Sequence, residues 1–236
     1  MSKRFKIKKI EPKGNLDGLR ILAYGRSGVG KTTFWFNKKD AVWLAFETGQ
    51  DFQKGSVAAY DMPEGSAEAH SIIKDYLTED RLQFPYLIFD GLGYEFAAQK
   101  IDSWKTGEGS WGKDKHLTPE KYRQILESFK KKNAGLISIV HSSEASDPDD
   151  PEKTLIFPSF EKSKPSHEII GLFDIVMYFY IDRAGKYKIR TKGLPNVVTK
   201  DRTETLGYGG LPAVMDQNYD QFMAHLKKAI GVKDAK

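Results

Sequence analysis

The sequence contains no cysteine. That absence removes disulfides, zinc ribbons, iron–sulfur clusters and cysteine nucleophiles in one step. Histidine is sparse as well: His70, His116, His141, His167 and His225 are scattered without ligand-like spacing, which argues against a metal cluster. No apolar run comes near the roughly 20 residues needed to cross a bilayer. The opening Met-Ser-Lys-Arg-Phe-Lys-Ile-Lys-Lys is basic but has no apolar stretch behind it, so it does not read as a secretory leader. Repeats and low-complexity tracts are missing too. What remains is the expectation of a soluble, cytoplasmic protein with no membrane partner. At 236 residues, 39% hydrophobic and 29% charged, the chain suits one α/β domain whose core needs no covalent staple.

Charge is unevenly placed. Residues 1–20 carry seven basic side chains (Lys3, Arg4, Lys6, Lys8, Lys9, Lys13 and Arg20) against Glu11 and Asp17. This segment holds the whole formal excess of +5, so the rest of the chain is neutral overall. Lys227, Lys228, Lys233 and Lys236 make the far end basic, and Asp147-Pro-Asp-Asp-Pro-Glu152 is an acidic stretch between. A basic arm over 1–18 either attracts nucleic acid by counterion release or is simply a solvated terminus.

One motif is hard to explain away. Leu19-Arg-Ile-Leu-Ala-Tyr24 reads as a buried strand, and Gly25-Arg26-Ser27-Gly28-Val29-Gly30-Lys31-Thr32-Thr33 follows it directly. This is the phosphate-binding loop G-x-x-x-x-G-K-[ST] in its strand–loop–helix setting. Its glycines let successive N–H groups turn inward around phosphates, and a helix over about 31–38 points its N-terminus at the same anion. Lys31 would lie along the β- and γ-phosphates, and the Thr32 hydroxyl would ligate Mg²⁺. A nucleoside triphosphate site, with Mg²⁺ as its cofactor, is the reading; ATP as the nucleotide rests on the family resemblance given below.

Three further apolar strands end on polar residues: Ala41–Phe46 before Glu47, Pro85–Phe89 before Asp90, and Gly135–Val140 before His141. In an open parallel sheet, ligands bind outside the carboxyl ends of the strands. Asp90 therefore reads as the carboxylate on the Mg²⁺ side, acting through water. Glu47 would orient or deprotonate the attacking water, and His141 would hydrogen-bond the γ-phosphate. For each carboxylate the alternative is a cap on the next helix, and for His141 a structural role.

Helical periodicity over 66–80 and 118–132, with a helix over 93–103, alternates with these strands, which is the signature of a parallel α/β sheet. Thr118-Pro119-Glu120 reads as an N-cap with Pro at the first helical position. Beyond residue 172 the pattern becomes a C-terminal β-hairpin, with strands over 172–181 and 186–191, and an amphipathic helix over 217–230 closes the chain. Two segments read as loops facing a partner. Residues 104–116 mix Trp104 and Trp111 with Lys105, Lys113 and Lys115, a composition able to stack bases and hold phosphates, or else to pack down on the domain. Residues 142–165 form a long loop that opens acidic and closes with Phe157, Phe160, Lys162 and Lys164. Lys200 and Arg202, past the last strands, could reach a neighbouring subunit's γ-phosphate or be ordinary surface charge.

Taken together, Gly25–Thr33, Glu47, Asp90-Gly-Leu, His141 and Lys200-Asp-Arg202 resemble the RecA-type ATPase core, and more closely its compact phage version in single-strand annealing and recombination. The resemblance implies a RecA-like P-loop domain over 19–236, a mostly parallel central sheet flanked by helices, behind the basic arm 1–18. It implies catalysis by Lys31, Glu47 and Asp90, with His141 in the sensor position and Lys200 and Arg202 completing the ATP site across a subunit interface. Residues 104–116 and 142–165 would be the DNA-facing loops. Gly91 stands where the family usually has Ser, and the acidic 147–152 stretch is unlike a DNA loop.

The expectation is a Mg²⁺-dependent, DNA-stimulated ATPase that assembles as a homo-oligomeric ring or filament on single-stranded DNA. It would promote annealing or strand pairing, with a single-strand-binding protein as a possible partner, in the host cytoplasm if phage-encoded. Two other classes stay open: a P-loop switch such as a helicase loader or assembly factor, and a small-molecule phosphotransferase.

Overall fold

Apolar segments that alternate between two faces line up side by side in the computed structural model, which describes residues 16, 18–46, 53–61, 63, 66–91, 114–147, 150, 152–160 and 167–232. Strand β1 (Arg20–Gly25) lies in the middle, with β5 (Gly135–Ser146) on one side and β7 (Ile175–Ile181) on the other, both parallel to it. Beyond β5 come β4 (Tyr86–Asp90), β2 (Ala41–Ala45) and the two-residue β3 (Ala58–Ala59), all parallel. On the other flank β8 (Tyr187–Arg190) and then β10 (Val214–Asp216) add antiparallel. Two short strands lie off this path: β6 (Thr154–Pro158) pairs with β5, and β9 (Lys200–Asp201) with β7.

Because side chains alternate along a strand, each strand sends one set of residues to each face. Leu22, Tyr24, Val42, Leu44, Leu87, Phe89, Leu136 and Val140 pack with α2 (Ser66–Thr78), α3 (Asp114–Lys132) and α4 (His167–Leu172). Ile21, Ala23, Trp43, Ile88, Ile137 and Ile139 pack on the opposite face with α1 (Lys31–Trp35) and α5 (Tyr219–Ala229). On that second face Phe34 and Trp35 meet Phe222 edge-on, at ring-centroid distances of 5.6 and 5.7 Å. The C-terminal helix thus buttresses the short helix behind the phosphate loop. The result is an α/β fold with a mostly parallel central sheet and a β7–β8 hairpin near its C-terminal end.

Several boundaries differ from the sequence reading. Helix α1 ends at Trp35 rather than 38, because Lys38 N–H bonds the Trp35 carbonyl at 2.9 Å and tightens the chain into a turn. Helix α3 begins at Asp114, so Lys115 lies in a helix rather than a loop, and Thr118-Pro119 lies inside that helix instead of starting it. Inside the helix Pro119 withholds an N–H from the Lys115 carbonyl and crowds it, a cost the helix absorbs at this one position. The strand expected from 172 starts at Ile175, and Leu172 closes α4, a helix the sequence reading did not anticipate.

The largest correction concerns 142–165. Strand β5 does not stop at His141 but runs on to Ser146, and β6 folds back against it, Ser142 opposite Pro158 through Ser146 opposite Thr154. Residues 142–158 are therefore largely a hairpin. Phe157 and Phe160 are buried, not presented to a partner. Tyr24 secures this hairpin from below, its hydroxyl donating to the Val198 carbonyl at 2.8 Å and lying 3.3 Å from that of Ile156.

Candidate functional site

Gly25 closes β1 where a side chain cannot fit: a Cβ there would lie 2.3 Å from the Phe179 carbonyl oxygen of β7. The chain then turns over the sheet edge through Arg26–Val29 and reaches Gly30, the residue before α1, with φ +85°. That left-handed conformation favours glycine. Lys31, buried, folds its ammonium back into the loop and donates to the Gly25 and Arg26 carbonyls, each at 2.9 Å. The side chain that would meet phosphates is thus held at the centre of the loop.

Strand parity brings Asp90 to the same place. Tyr86 and Ile88 face α1, so Asp90, two residues on, faces it too. Its Oδ2 accepts from the Thr32 hydroxyl at 3.1 Å, and Asp90 is 2% exposed. Along β5, Ile137 and Ile139 face the α1 side, which puts exposed His141 there as well, in register with Gly25. Strand β5 lies between the loop strand and the Asp90 strand. Lys31, Thr32, Asp90 and His141 line one cleft of about 560 Å³, within the range of small-ligand sites.

The Thr32 hydroxyl and Asp90 carboxylate offer the hard oxygens that Mg²⁺ prefers. Among the described residues no group of three or more His, Asp or Glu gathers as a metal site. A cation here would take its other oxygens from substrate phosphates and water, the usual manner of Mg²⁺.

Two contacts to the loop were not anticipated. Gln217, just past β10, donates its amide to the Val29 carbonyl at 2.9 Å and to the Lys188 carbonyl at 3.1 Å. It fastens the phosphate loop to the C-terminal hairpin, and with Tyr187 it lines the cleft. Arg26 reaches the other way and pairs with Glu144 of the β5–β6 hairpin at 2.6 Å. The hydrogen bond to that carboxylate, more than its charge alone, holds the Arg26 guanidinium in its protonated form. Gln53 also lines the cleft. Neither Gln217 nor Glu144 has a spacing relation to the loop that a sequence could reveal.

Lys200 and Arg202 lie elsewhere. Lys200 sits opposite Val176 and Asp201 opposite Ile175, level with the start of β1 rather than its end. Lys200 donates to the Gly171 carbonyl at 2.7 Å, and Arg202 to the same carbonyl at 2.8 Å and to Asp174 at 3.1 Å. Asp174 also takes the buried Arg20 guanidinium at 2.8 and 3.0 Å. Burial, assisted by the charge of Arg202, brings the Lys200 ammonium down to about 8. Glu47, Trp104, Lys105, Trp111, Lys113, Lys162 and Lys164, the expected helix 93–103 and nearly all of the arm 1–18 lie outside the described residues. Among the described residues no helix is long and apolar enough to cross a membrane.

A family model described as an AAA domain matches residues 17–203, a span that takes in β1, the phosphate loop, Asp90, His141 and Arg202. No curated protein matches the chain.

Proposed function

The chain belongs to this AAA-domain family of P-loop ATPases, and on that premise we propose that it is a Mg²⁺-dependent ATPase of RecA-like type acting on single-stranded DNA. The observation that carries the nucleotide part is the convergence of Lys31, Thr32 and Asp90 in one cleft. Lys31 would exchange its loop carbonyls for the β- and γ-phosphates, while Thr32 and Asp90 would hold Mg²⁺, Asp90 through water. The metal, when bound, offsets charge on the transferring phosphoryl group. Water attacks the γ-phosphorus in line, the bond to the bridging oxygen breaks, and ADP departs with that electron pair. Glu47, which follows β2, takes the proton, and His141 hydrogen-bonds the γ-phosphate. One RecA-like domain spans 19–236 behind the basic arm.

Lys200 and Arg202 sit at the far end of the sheet from this chain's own cleft. A role for them in phosphate chemistry therefore requires a neighbouring copy, which accords with a ring or filament whose ATP sites lie between subunits. Single-stranded DNA would meet the arm 1–18 and Trp104, Lys105, Trp111, Lys113, Lys115, Lys162 and Lys164, with a single-strand-binding protein as a further partner. Annealing or strand pairing in phage-type recombination, in the host cytoplasm, is the activity that the RecA resemblance favours.

The test is ATP hydrolysis with and without single-stranded DNA at low and moderate salt, with Lys31→Ala as the blank. DNA-stimulated turnover that vanishes in the blank supports the whole reading. Turnover indifferent to DNA refutes the DNA part, and none above the blank refutes the ATPase. One observation favours a switch role instead, as in a loader or assembly factor: the Arg26–Glu144 pair links the phosphate loop to the β5–β6 hairpin. In that case Glu47→Gln would leave slow hydrolysis unchanged.

A further inference from the structure

The cleft has a second wall that the phosphate motif says nothing about. Strand β7 runs level with β1 at Tyr178 and Tyr24 and then continues three residues to Ile181, about 10 Å further. The chain turns through 182–186 and returns at Tyr187, opposite Ile181. This hairpin tip therefore rises beside the phosphate loop, beyond the carboxyl edge of the sheet. The Tyr187 ring lies against the last glycine of the loop, its Cδ1 3.5 Å from where a Gly30 Cβ would stand.

Tyr187 is held rigidly at the backbone, yet half-exposed. The Gln217 N–H donates to the Tyr187 carbonyl at 3.2 Å, and the Gln217 side chain ties the adjacent Lys188 carbonyl to Val29 of the loop. Lys188 pairs with Asp216 across the strands. Tyr187 is 49% exposed, and its cross-strand neighbour Ile181 is 44% exposed. A half-exposed aromatic that lines a ligand cleft, on a backbone fastened to the phosphate loop, is suited to stack against a flat partner.

A bound nucleoside triphosphate supplies that partner in the right order. Its γ-phosphate end belongs with Thr32, Asp90 and His141, so its base must leave the loop at another side of the cleft. Thr33 of α1 and Asn37, in the turn that follows it, also line the cleft, the Asn37 amide donating to the Thr33 carbonyl at 3.2 Å. We propose that Tyr187 is the base platform of the nucleotide site, with Gln217 as the positioning residue that fixes platform and phosphate loop to one another. This rests on the reading of the cleft as a nucleotide site. It adds that the C-terminal hairpin recognises the base through its π-face, which every nucleobase presents.

The experiment compares ATP with inorganic tripolyphosphate, which has the phosphates and no base, by calorimetric titration of the full chain in Mg²⁺. Tyr187→Ala should weaken ATP binding about ten-fold, as expected for one lost base–aromatic stack, and leave tripolyphosphate binding within two-fold. Tyr187→Phe should bind both ligands like the native protein. Equal weakening of both ligands in Tyr187→Ala would overturn the proposal, since that outcome reports damage to the loop. Unchanged ATP binding in Tyr187→Ala, or a loss in Tyr187→Phe as large as in Tyr187→Ala, would overturn it too. Lys31→Ala separates the two levels of inference: it should lose both ligands, and if it loses neither, the nucleotide reading fails and the platform with it.

Discussion

Replacing Gly30 by alanine adds one methyl group and should cost far more than a methyl is worth. Gly30 has φ +85°, and a left-handed backbone costs a residue with a Cβ about 1–2 kcal/mol. The new Cβ would also stand 2.7 Å from Gln217 Oε1, inside contact distance. The amide is the flexible end of its side chain and can swing away. In doing so it gives up its hydrogen bonds to the Val29 and Lys188 carbonyls, worth about 1 kcal/mol each. Gly30→Ala should therefore destabilise the fold by about 3–4 kcal/mol. Gln217→Ala alone loses the two bonds, about 2 kcal/mol. The double variant should be no worse than Gly30→Ala, because the bonds can be lost only once. Urea unfolding followed by tryptophan fluorescence reads all three, since Trp35 and Trp43 are fully buried. A double variant costing the full sum, about 5–6 kcal/mol, would refute the claim that Gln217 is what the alanine displaces.

Asp90→Asn should lower turnover by about 10–100-fold and raise the Mg²⁺ concentration needed for half-maximal rate; an unchanged Mg²⁺ profile would remove Asp90 from the metal side of the site. Asp174→Ala strands the Arg20 guanidinium, whose side chain is 7% exposed, and should cost about 3–5 kcal/mol in urea unfolding. An unfolding midpoint close to the native one would mean that the pair contributes little. Lys200, brought down to about 8 by burial, binds its proton less tightly in the folded chain than in the unfolded one. Between about pH 8 and its ordinary value near 10.4 the unfolded state thus holds more protons, so this residue makes stability rise with pH. The native protein should gain stability relative to Lys200→Met across that interval, and a constant difference between the two would contradict the depressed ammonium.

Much of the cleft was legible because its residues obey local rules. The loop from Gly25 to Thr33 has fixed spacing, and Asp90 follows a run in which every second residue faces α1, so strand parity alone places it. The β5–β6 hairpin was missed for a physical reason. Ser142–Ser146 lacks an apolar face, so its strand character comes from pairing with 154–158 rather than from its own pattern. Thr154-Leu-Ile-Phe-Pro158 did carry a strand signal, and Phe157 at full burial shows what it meant. The start of α3 was misplaced because Pro119 prefers the first helical turn but is only disfavoured, not forbidden, further in. Gln217 had no signal at all: its partner Val29 lies 188 residues earlier, and only the folded sheet brings the two together. The resemblance to RecA-type cores gave Lys200 and Arg202 a phosphate role that their contacts with Gly171 and Asp174 do not by themselves suggest.

The position of β1 has a consequence for how the protein is made. The strand that opens the domain and launches the phosphate loop is also its centre, and both of its neighbours come late in the chain, β5 from Gly135 and β7 from Ile175. During synthesis Leu22, Ala23 and Tyr24, all fully buried in the finished sheet, leave the ribosome long before either flank exists. Translation proceeds at about 5–20 residues per second, so β1 waits several seconds for β5 and longer for β7. The nucleotide loop cannot acquire its shape until that wait ends, because Gly25 is set against Phe179 and Val29 against Gln217. Binding competence therefore waits until Gln217 has emerged, and the nascent chain must be kept from pairing its exposed first strand with another copy until β7 is available.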